Sequence, residues 1–390
     1  MRDLRYYHGR EQTYLKHYVL EKYIEELGFK VGSWADTICY VDCFSGPWKA
    51  NDQDDYKDTS ISLSIDVFKK VKSYYEQKGR VINFKCFYIE ENKKSYKELI
   101  KILENENEIY TKPINGRFVE CIPQVLKEIS DKDFTFFFID PTGWTDFAMN
   151  DIKPLLCRNN SEVLINFMYD FIQRFIDTGD RLDLINSFNK LFGTPNWKNH
   201  LTNISNTYTR EQQIVKYYMK SLKNIGNWNY VLNTKITYPL KDKTYFYLIY
   251  ASRHPMGLKT FKRVESSLFK EHVKTRDAAK RTAYSQKTRQ LDIYDLLTES
   301  TDSLVINDSY LSICRNLSCA NMKQWLKDII IKEKTIKYKA ILENGLQNEF
   351  VFEKDINEAT MELKKSGIID IVGMSSRERV PKGDYTIVLK

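Results

Sequence analysis

Apolar positions recur along the chain with two periods, and the alternation between them predicts its elements. Leu15, Tyr18, Val19, Tyr23 and Leu27 stand at helical spacing, which predicts a helix over 13–27 with Gly28 as its stop. A short apolar run, 37–41, then ends at Asp42, and Cys43-Phe44-Ser45-Gly46-Pro47-Trp48 turns the chain. After a polar loop, Asp58-Thr59-Ser60 gives a helix-start signal before Ile61, Leu63, Ile65, Val67 and Phe68. A second strand over 84–89 ends in Glu90-Glu91, and a helix follows over 93–103. The third strand is faintly marked. Asn115-Gly116-Arg117-Phe118 reads as its outgoing loop, with a helix over 122–129. The fourth, Phe134-Thr135-Phe136-Phe137-Phe138-Ile139, reads as a strand buried on both faces. It stops at Asp140-Pro141-Thr142-Gly143. A helix over 149–156 and a fifth strand over 163–167 come next. The segment 169–218 is largely helical, broken at Leu191-Phe192-Gly193-Thr194-Pro195-Asn196-Trp197. Strands over 230–236 and 244–251, linked through Lys241-Asp242-Lys243, read as a hairpin.

Five strand–helix units followed by an edge hairpin predict an α/β fold. The sheet is seven-stranded and mostly parallel, with one antiparallel strand, the Rossmann-like layout of class I S-adenosylmethionine-dependent methyltransferases. A nicotinamide-binding fingerprint would want more glycines after the first strand, and a phosphate-binding loop would want Gly-Lys-Ser/Thr; neither is present. The acids at three strand ends, Asp42, Glu90 and Asp140, suit a methyltransferase better. A carboxylate ending the second strand can accept two hydrogen bonds from a ribose cis-diol, and Glu90, first past the run, is favoured over Glu91. Asp42 and the backbone of Phe44, Ser45 and Gly46 would face S-adenosylmethionine, with Arg117 or Phe118 beside its adenine. Lys16 and His17, on the first helix, can reach the same edge, though His17 also reads as a structural histidine. Asp140-Pro141 resembles the start of the acceptor motif of amino-methyltransferases, in which the acid and a carbonyl align a target NH₂ while an aromatic residue stacks on the flipped base. Trp144 would stack from one residue later than usual. The competing reading makes Asp140 a helix cap and Trp144 part of the core.

Composition narrows this picture. Apolar residues make up 42 % and charged residues 29 % of 390, a globular balance. No apolar run approaches the ~18 residues that cross a membrane. The first residues lack an apolar signal region, so a soluble, cytoplasmic protein is expected. Seven scattered cysteines form no paired CxxC sets, which speaks against a zinc or disulfide framework. The net charge of +8 is unevenly placed: Lys259 to Arg289 holds ten basic residues and three acids, a net +7. That stretch suits a phosphate backbone, or it is a solvated helix face.

Beyond it, helices over 321–332, 335–344 and 356–365 precede a hairpin of 368–372 and 385–389 with a basic tip. Helices followed by such a hairpin form a winged helix-turn-helix pattern, which binds nucleic acid or docks a protein. The expected domains are therefore a methyltransferase-like Rossmann domain over 1–265, a basic helical linker over 266–300, and an α+β winged-helix-like domain over 301–390.

Lys16-His17, Asp42-Cys43-Phe44-Ser45-Gly46-Pro47, Ile89-Glu90 and Asp140-Pro141-Thr142-Gly143 together resemble the three-Cys-motif partner protein (TcmP) family. Arg174, Leu191-Phe192-Gly193 with Trp197, and Tyr247-Leu248-Ile249 before His254-Pro255-Met256-Gly257 fit it as well. The resemblance covers about residues 8–265. It implies a methyltransferase-like fold and a partner with a three-cysteine motif, similar to radical S-adenosylmethionine proteins. Trp48 departs from the family, where many members carry glycine; an indole there narrows the loop or stacks on the cofactor. Three functions follow as expectations: a methyltransferase acting on nucleic acid or on a substrate shared with that partner, a non-catalytic nucleic-acid-binding subunit, or a partner-docking module. Oligomeric state is not legible.

Overall fold

The computed structural model describes residues 4–7, 9–46, 58–177, 181–202, 209–288, 309–375 and 377–390. They form two compact units: Met1–Thr237 with Lys243–Gly257, and Tyr238–Asp242 with Leu258–Lys390. Residue 265, the expected end of the first domain, lies inside one continuous helix, Pro255–Thr288. Residues 289–308, which hold the end of the expected linker and the start of the expected C-terminal domain, fall outside the described residues.

The first unit runs α1 (Glu11–Val31), β1 (Thr37–Asp42), α2 (Ser60–Gln77), β2 (Asn83–Glu90), α3 (Lys93–Leu103), β3 (Tyr110–Asn115), α4 (Phe118–Glu128) and β4 (Phe134–Ile139). It continues with α5 (Lys153–Leu156), β5 (Ser161–Phe167), α6 (Tyr169–Phe175), α7 (Leu182–Phe192), α8 (Trp197–Thr202), α9 (Arg210–Gly226), β6 (Tyr230–Thr237) and β7 (Thr244–Ser252). The sheet order is β3-β2-β1-β4-β5-β7-β6. Strands β1 to β5 pair in parallel, and β7 lies antiparallel to both β5 and β6. This is the order and direction of the class I methyltransferase fold, as expected. Every residue of β4 is buried, because helices cover both faces of the sheet centre. The register aligns Asp42 with Tyr88 and Phe138, and Glu90 with Asn115, so the polar strand ends share one edge.

Three elements differ from the sequence pattern for local reasons. Helix α1 runs through Gly28 rather than stopping there, because α2 passes close by: a Cβ on Gly28 would stand 3.0 Å from Val71 Cγ2. Strand β3 is the edge of the sheet, mostly half-exposed, and carries Pro113, which an edge position tolerates. Between β4 and β5 only α5 is helical; 147–152 is turns.

Beneath the opposite edge of the sheet lies a buried polar cluster. Tyr23 Oη donates to Glu162 Oε2 at 2.6 Å, Ser252 Oγ donates to Glu162 Oε1 at 2.9 Å, and the Tyr23 and Tyr250 hydroxyls meet at 2.5 Å. Gly257 seals it: a Cβ there would stand 2.4 Å from Glu162 Oε1 and 2.4 Å from Tyr250 Oη. Neither oxygen can withdraw without giving up a bond to its neighbour. Gly257→Ala is therefore expected to destabilise the protein by about 2 kcal/mol, read as a lower urea midpoint. An unchanged midpoint would show that the cluster has slack.

In the second unit, the helix Pro255–Thr288 (α10) is followed by the helix Ser309–Glu333, β8 (Thr335–Lys337), the helices Tyr338–Gly345 and Glu353–Lys365, and the hairpin β9 (Ile369–Val372) and β10 (Thr386–Leu389). The three strands form an antiparallel sheet in the order β8-β10-β9. The single helix expected over 335–344 is thus a short strand plus a helix; Ile387 of β10 pairs with Ile336 and draws that segment into the sheet. Met322, Leu326, Tyr338, Ile341, Ile356, Ile371 and Ile387 make up its core. No described helix is long and apolar enough to cross a membrane.

Candidate active site

The candidate site stands at the carboxyl edge of the parallel strands. Asp42 ends β1 and is fully buried. Its carboxylate accepts the Ser60 hydroxyl at 2.7 Å, the Phe44 N–H at 3.3 Å and the Tyr40 hydroxyl at 3.3 Å. Burial pushes its carboxyl up to about 6; the Ser60 hydroxyl opposes the rise, and the charge of Asp140 adds to it. Ser45 ties the turn to the sheet. Its N–H donates to Ile89 O at 2.7 Å, and its hydroxyl donates to Asp42 O at 2.8 Å while accepting the Ile89 N–H at 3.1 Å. Asp42 and Ser45 thus shape the turn, while Phe44 presents its ring, 5.3 Å from the ring of Phe118.

Glu90 ends β2 with only 6 % of its surface exposed. One carboxylate oxygen accepts the Asn92 N–H at 2.5 Å. Burial raises this carboxyl above its ordinary value, the Asn92 amide opposes the shift, and Glu91 adds to it. Asn92 also caps α3 through the Lys94 and Ser95 N–H groups. The end of β3 packs tightly on the same corner: the Asn115 side-chain amide donates to Glu90 O at 2.8 Å, and the Gly116 N–H to the same oxygen at 3.2 Å. A Cβ on Gly116 would stand 2.8 Å from Cys121 Sγ, so a side chain at this turn would have to turn the Cys121 thiol aside.

Asp140 follows β4. The Lys16 ammonium, from the second turn of α1, donates to Asp140 Oδ2, and the Asn166 amide of β5 donates to Oδ1 at 2.6 Å. The Lys16 and Asp140 side chains are 13 % and 17 % exposed. Each carboxylate oxygen keeps a free lone pair. Asn166 Oδ1 is buried and meets no hydrogen-bond partner. A cleft of about 530 Å³ runs across this edge, lined by Phe44, Glu90, Asn92, Phe118, Asp140 and Asp146 among others.

Of the residues singled out from the sequence, Phe44, Glu90, Phe118 and Asp140 line the cleft. Lys16 reaches it through Asp140. Asp42 and Ser45 stand behind the turn, and Gly46 is the last described residue before 47–57. His17 is buried, with Nδ1 3.0 Å from the Tyr7 hydroxyl, a structural contact. Arg117 is half-exposed and faces three acids, Glu91, Glu120 and Asp146. Pro141 is buried. Trp144 packs on α7: its indole stacks at 5.6 Å on Phe188 and donates to Ser187 Oγ at 2.8 Å. Trp48 falls outside the described residues. Sequence reasoning missed Asn92, Gly116, Asp146, Ser60 and Asn166. A signal existed for Asn166, a lone polar residue near the end of an apolar strand. Among the described residues, no group of three or more His, Cys, Asp or Glu could hold a metal ion.

No protein-family model and no curated protein matches the chain. Solved structures with a distant likeness include a protein from Legionella pneumophila str. Philadelphia 1 described by family model DUF519, at 10 % identity and TM-score 0.34, covering 61 % of this chain and 84 % of that one. A precorrin-6y C5,15-methyltransferase from Geobacter metallireducens GS-15 aligns at 11 % identity and TM-score 0.26, over 59 % and 88 %. A loganic acid methyltransferase with SAH aligns at 10 % and 0.28, over 60 % and 77 %. Strand order and direction, rather than these likenesses, define the fold.

Proposed function

We propose that the chain is an S-adenosylmethionine-dependent methyltransferase whose acceptor is nucleic acid. The carrying observation is that Glu90 and Asp140, from two different strand ends, face one cleft of about 530 Å³, a volume typical of small-molecule sites. The residues fit the cofactor. Glu90 would take the ribose diol, Phe118 the purine, and the Phe44–Gly46 backbone the amino-acid end. The bound cofactor would supply an electrophilic methyl group. Asp140, held by Lys16 and Asn166, keeps lone pairs for the N–H groups of an acceptor amine. Trp144, already stacked on Phe188, is less suited to hold a flipped base. Calorimetric titration with S-adenosylhomocysteine tests the reading; absence of heat would sink it.

The nucleic-acid part draws support from the net +7 of Lys259 to Arg289. The second unit has the element order of a winged helix, helix, strand, two helices and a hairpin, a pattern that binds nucleic acid or docks a protein. A second reading, a subunit that shares its substrate with a three-cysteine-motif partner, is supported by the TcmP-like residues around Lys16, Asp42 and Asp140. Co-purification with such a partner is its test, and isolation of the chain alone from cells expressing both would remove it.

A further inference from the structure

Helix α10 sorts its side chains by face. Leu258, Phe261, Leu268, His272 and Arg276 are buried, at the three-and-four spacing of one side of a helix. Lys259, Arg263, Lys270 and Lys274 are exposed on the other side. At about 100° per residue these four fall within about 60° of the circumference. Several helical lysines elsewhere sit beside acids one turn away, as Lys30 does with Glu26, Lys339 with Glu343 and Lys354 with Glu358, while Lys93, Lys97 and Lys101 of α3 make a shorter exposed basic row. On α10, Lys259, Lys270 and Lys274 form no ion pair with any described residue. Asp277, which continues the row, is held by Arg281 at 2.6 Å, and Glu271 flanks it half-buried. Like charges one turn apart repel on a helix. On a solvated face such a row costs repulsion, which an anionic polymer laid along it would relieve.

We propose that this face docks the phosphate backbone of a nucleic-acid duplex and that the contact is blind to base sequence. The proposal rests on the nucleic-acid reading above for the identity of the substrate and adds how it is held. Lys259 to Lys274 spans about 22 Å of helix axis, the axial length of about six phosphates of one strand. The face carries no exposed ring between these residues, only serines such as Ser267, so it lacks the stacking platforms that capture single strands. Sequence-blindness follows from the helix Glu353–Lys365, which stands where a winged helix would place its reading helix. Its exposed residues include Glu353, Glu358 and Glu362 against Lys354 and Lys365. Lys323 from the neighbouring helix is already bound to Glu362 at 2.9 Å. Pressed into a major groove, that helix would bring carboxylates toward phosphates.

The test is fluorescence anisotropy of the full chain with labelled DNA and RNA duplexes of arbitrary sequence, over a range of salt. The unsubstituted chain is expected to show a slope of about −4 in log affinity against log salt. The triple variant Lys259→Gln/Lys270→Gln/Lys274→Gln is expected to lose about three units of that slope and ~100-fold in affinity at low salt. The matching triple Lys→Arg variant should bind as the parent does. The two duplex types tell which nucleic acid carries the phosphates. Retention of slope and affinity in the Gln variant would overturn the proposal, as would strong preference for one base sequence or tighter binding to anionic lipid vesicles than to either duplex. A separate titration with S-adenosylhomocysteine keeps the two readings apart. A chain that binds duplex through these lysines but takes no cofactor loses the enzyme reading and keeps this surface.

Discussion

Glu90→Ala is expected to weaken S-adenosylhomocysteine binding about 100-fold without lowering the melting temperature. A ribose diol offers a carboxylate two charge-assisted hydrogen bonds, and losing them costs about 2.7 kcal/mol, or two decades in affinity. The alanine also relieves a buried charge. Burial raises the Glu90 carboxyl, so the folded chain spends stability to keep it ionised at neutral pH, and removing it does not weaken the fold. The same shift sets a pH signature. Only the ionised form accepts both hydroxyls, so affinity should climb as pH rises through the raised value and then level off. In Glu90→Ala that climb should vanish, whereas Glu90→Gln, keeping one acceptor, should bind between the two with no pH dependence of its own. Isothermal titration at several pH values reads all three. Equal affinity for the parent and the alanine variant would remove Glu90 from the cofactor site.

The strand ends were legible because burial makes them so. An apolar strand that crosses a covered sheet can turn polar only where it emerges, and Asp42, Glu90 and Asp140 each stand at such a point. Whether a carboxylate faces the ligand or the scaffold was not legible, since both positions look alike in sequence. Asp42 turned inward to Ser60, which opens a helix 18 residues later; Glu90 turned to the cleft. The Lys16–Asp140 pair joins residues 124 apart, a closure that no local pattern encodes. Trp144 misled for a related reason. Its distance from Asp140 suited a stacking role, but Phe188 and Ser187, supplied by a later helix, draw the indole away. Strands β3 and β8 lacked an apolar signature because each lies at a sheet edge, where a partner on one side is enough.

Asp42→Asn is the second large effect, and it acts on the fold. In the folded chain the Asp42 carboxyl is pushed up to about 6 from 3.8, first by burial, with Asp140 adding and Ser60 opposing. The folded state therefore binds the proton more tightly than the unfolded chain does. Stability is fully present below pH ~4, falls as pH rises to ~6, and stays lower by about 3 kcal/mol above that. Asparagine keeps the shape and never ionises. Its carbonyl can still accept the Phe44 N–H, and the Ser60 hydroxyl can turn to accept from its amide. Urea unfolding between pH 4 and pH 8 should thus show a decline in the parent that shrinks by about 3 kcal/mol in Asp42→Asn. Parallel curves would place the charge elsewhere. Since Asp42 stands behind the turn and not in the cleft, the variant should also bind S-adenosylhomocysteine within a few-fold of the parent. A loss as large as that of Glu90→Ala would mean that the carboxylate reaches the cofactor directly.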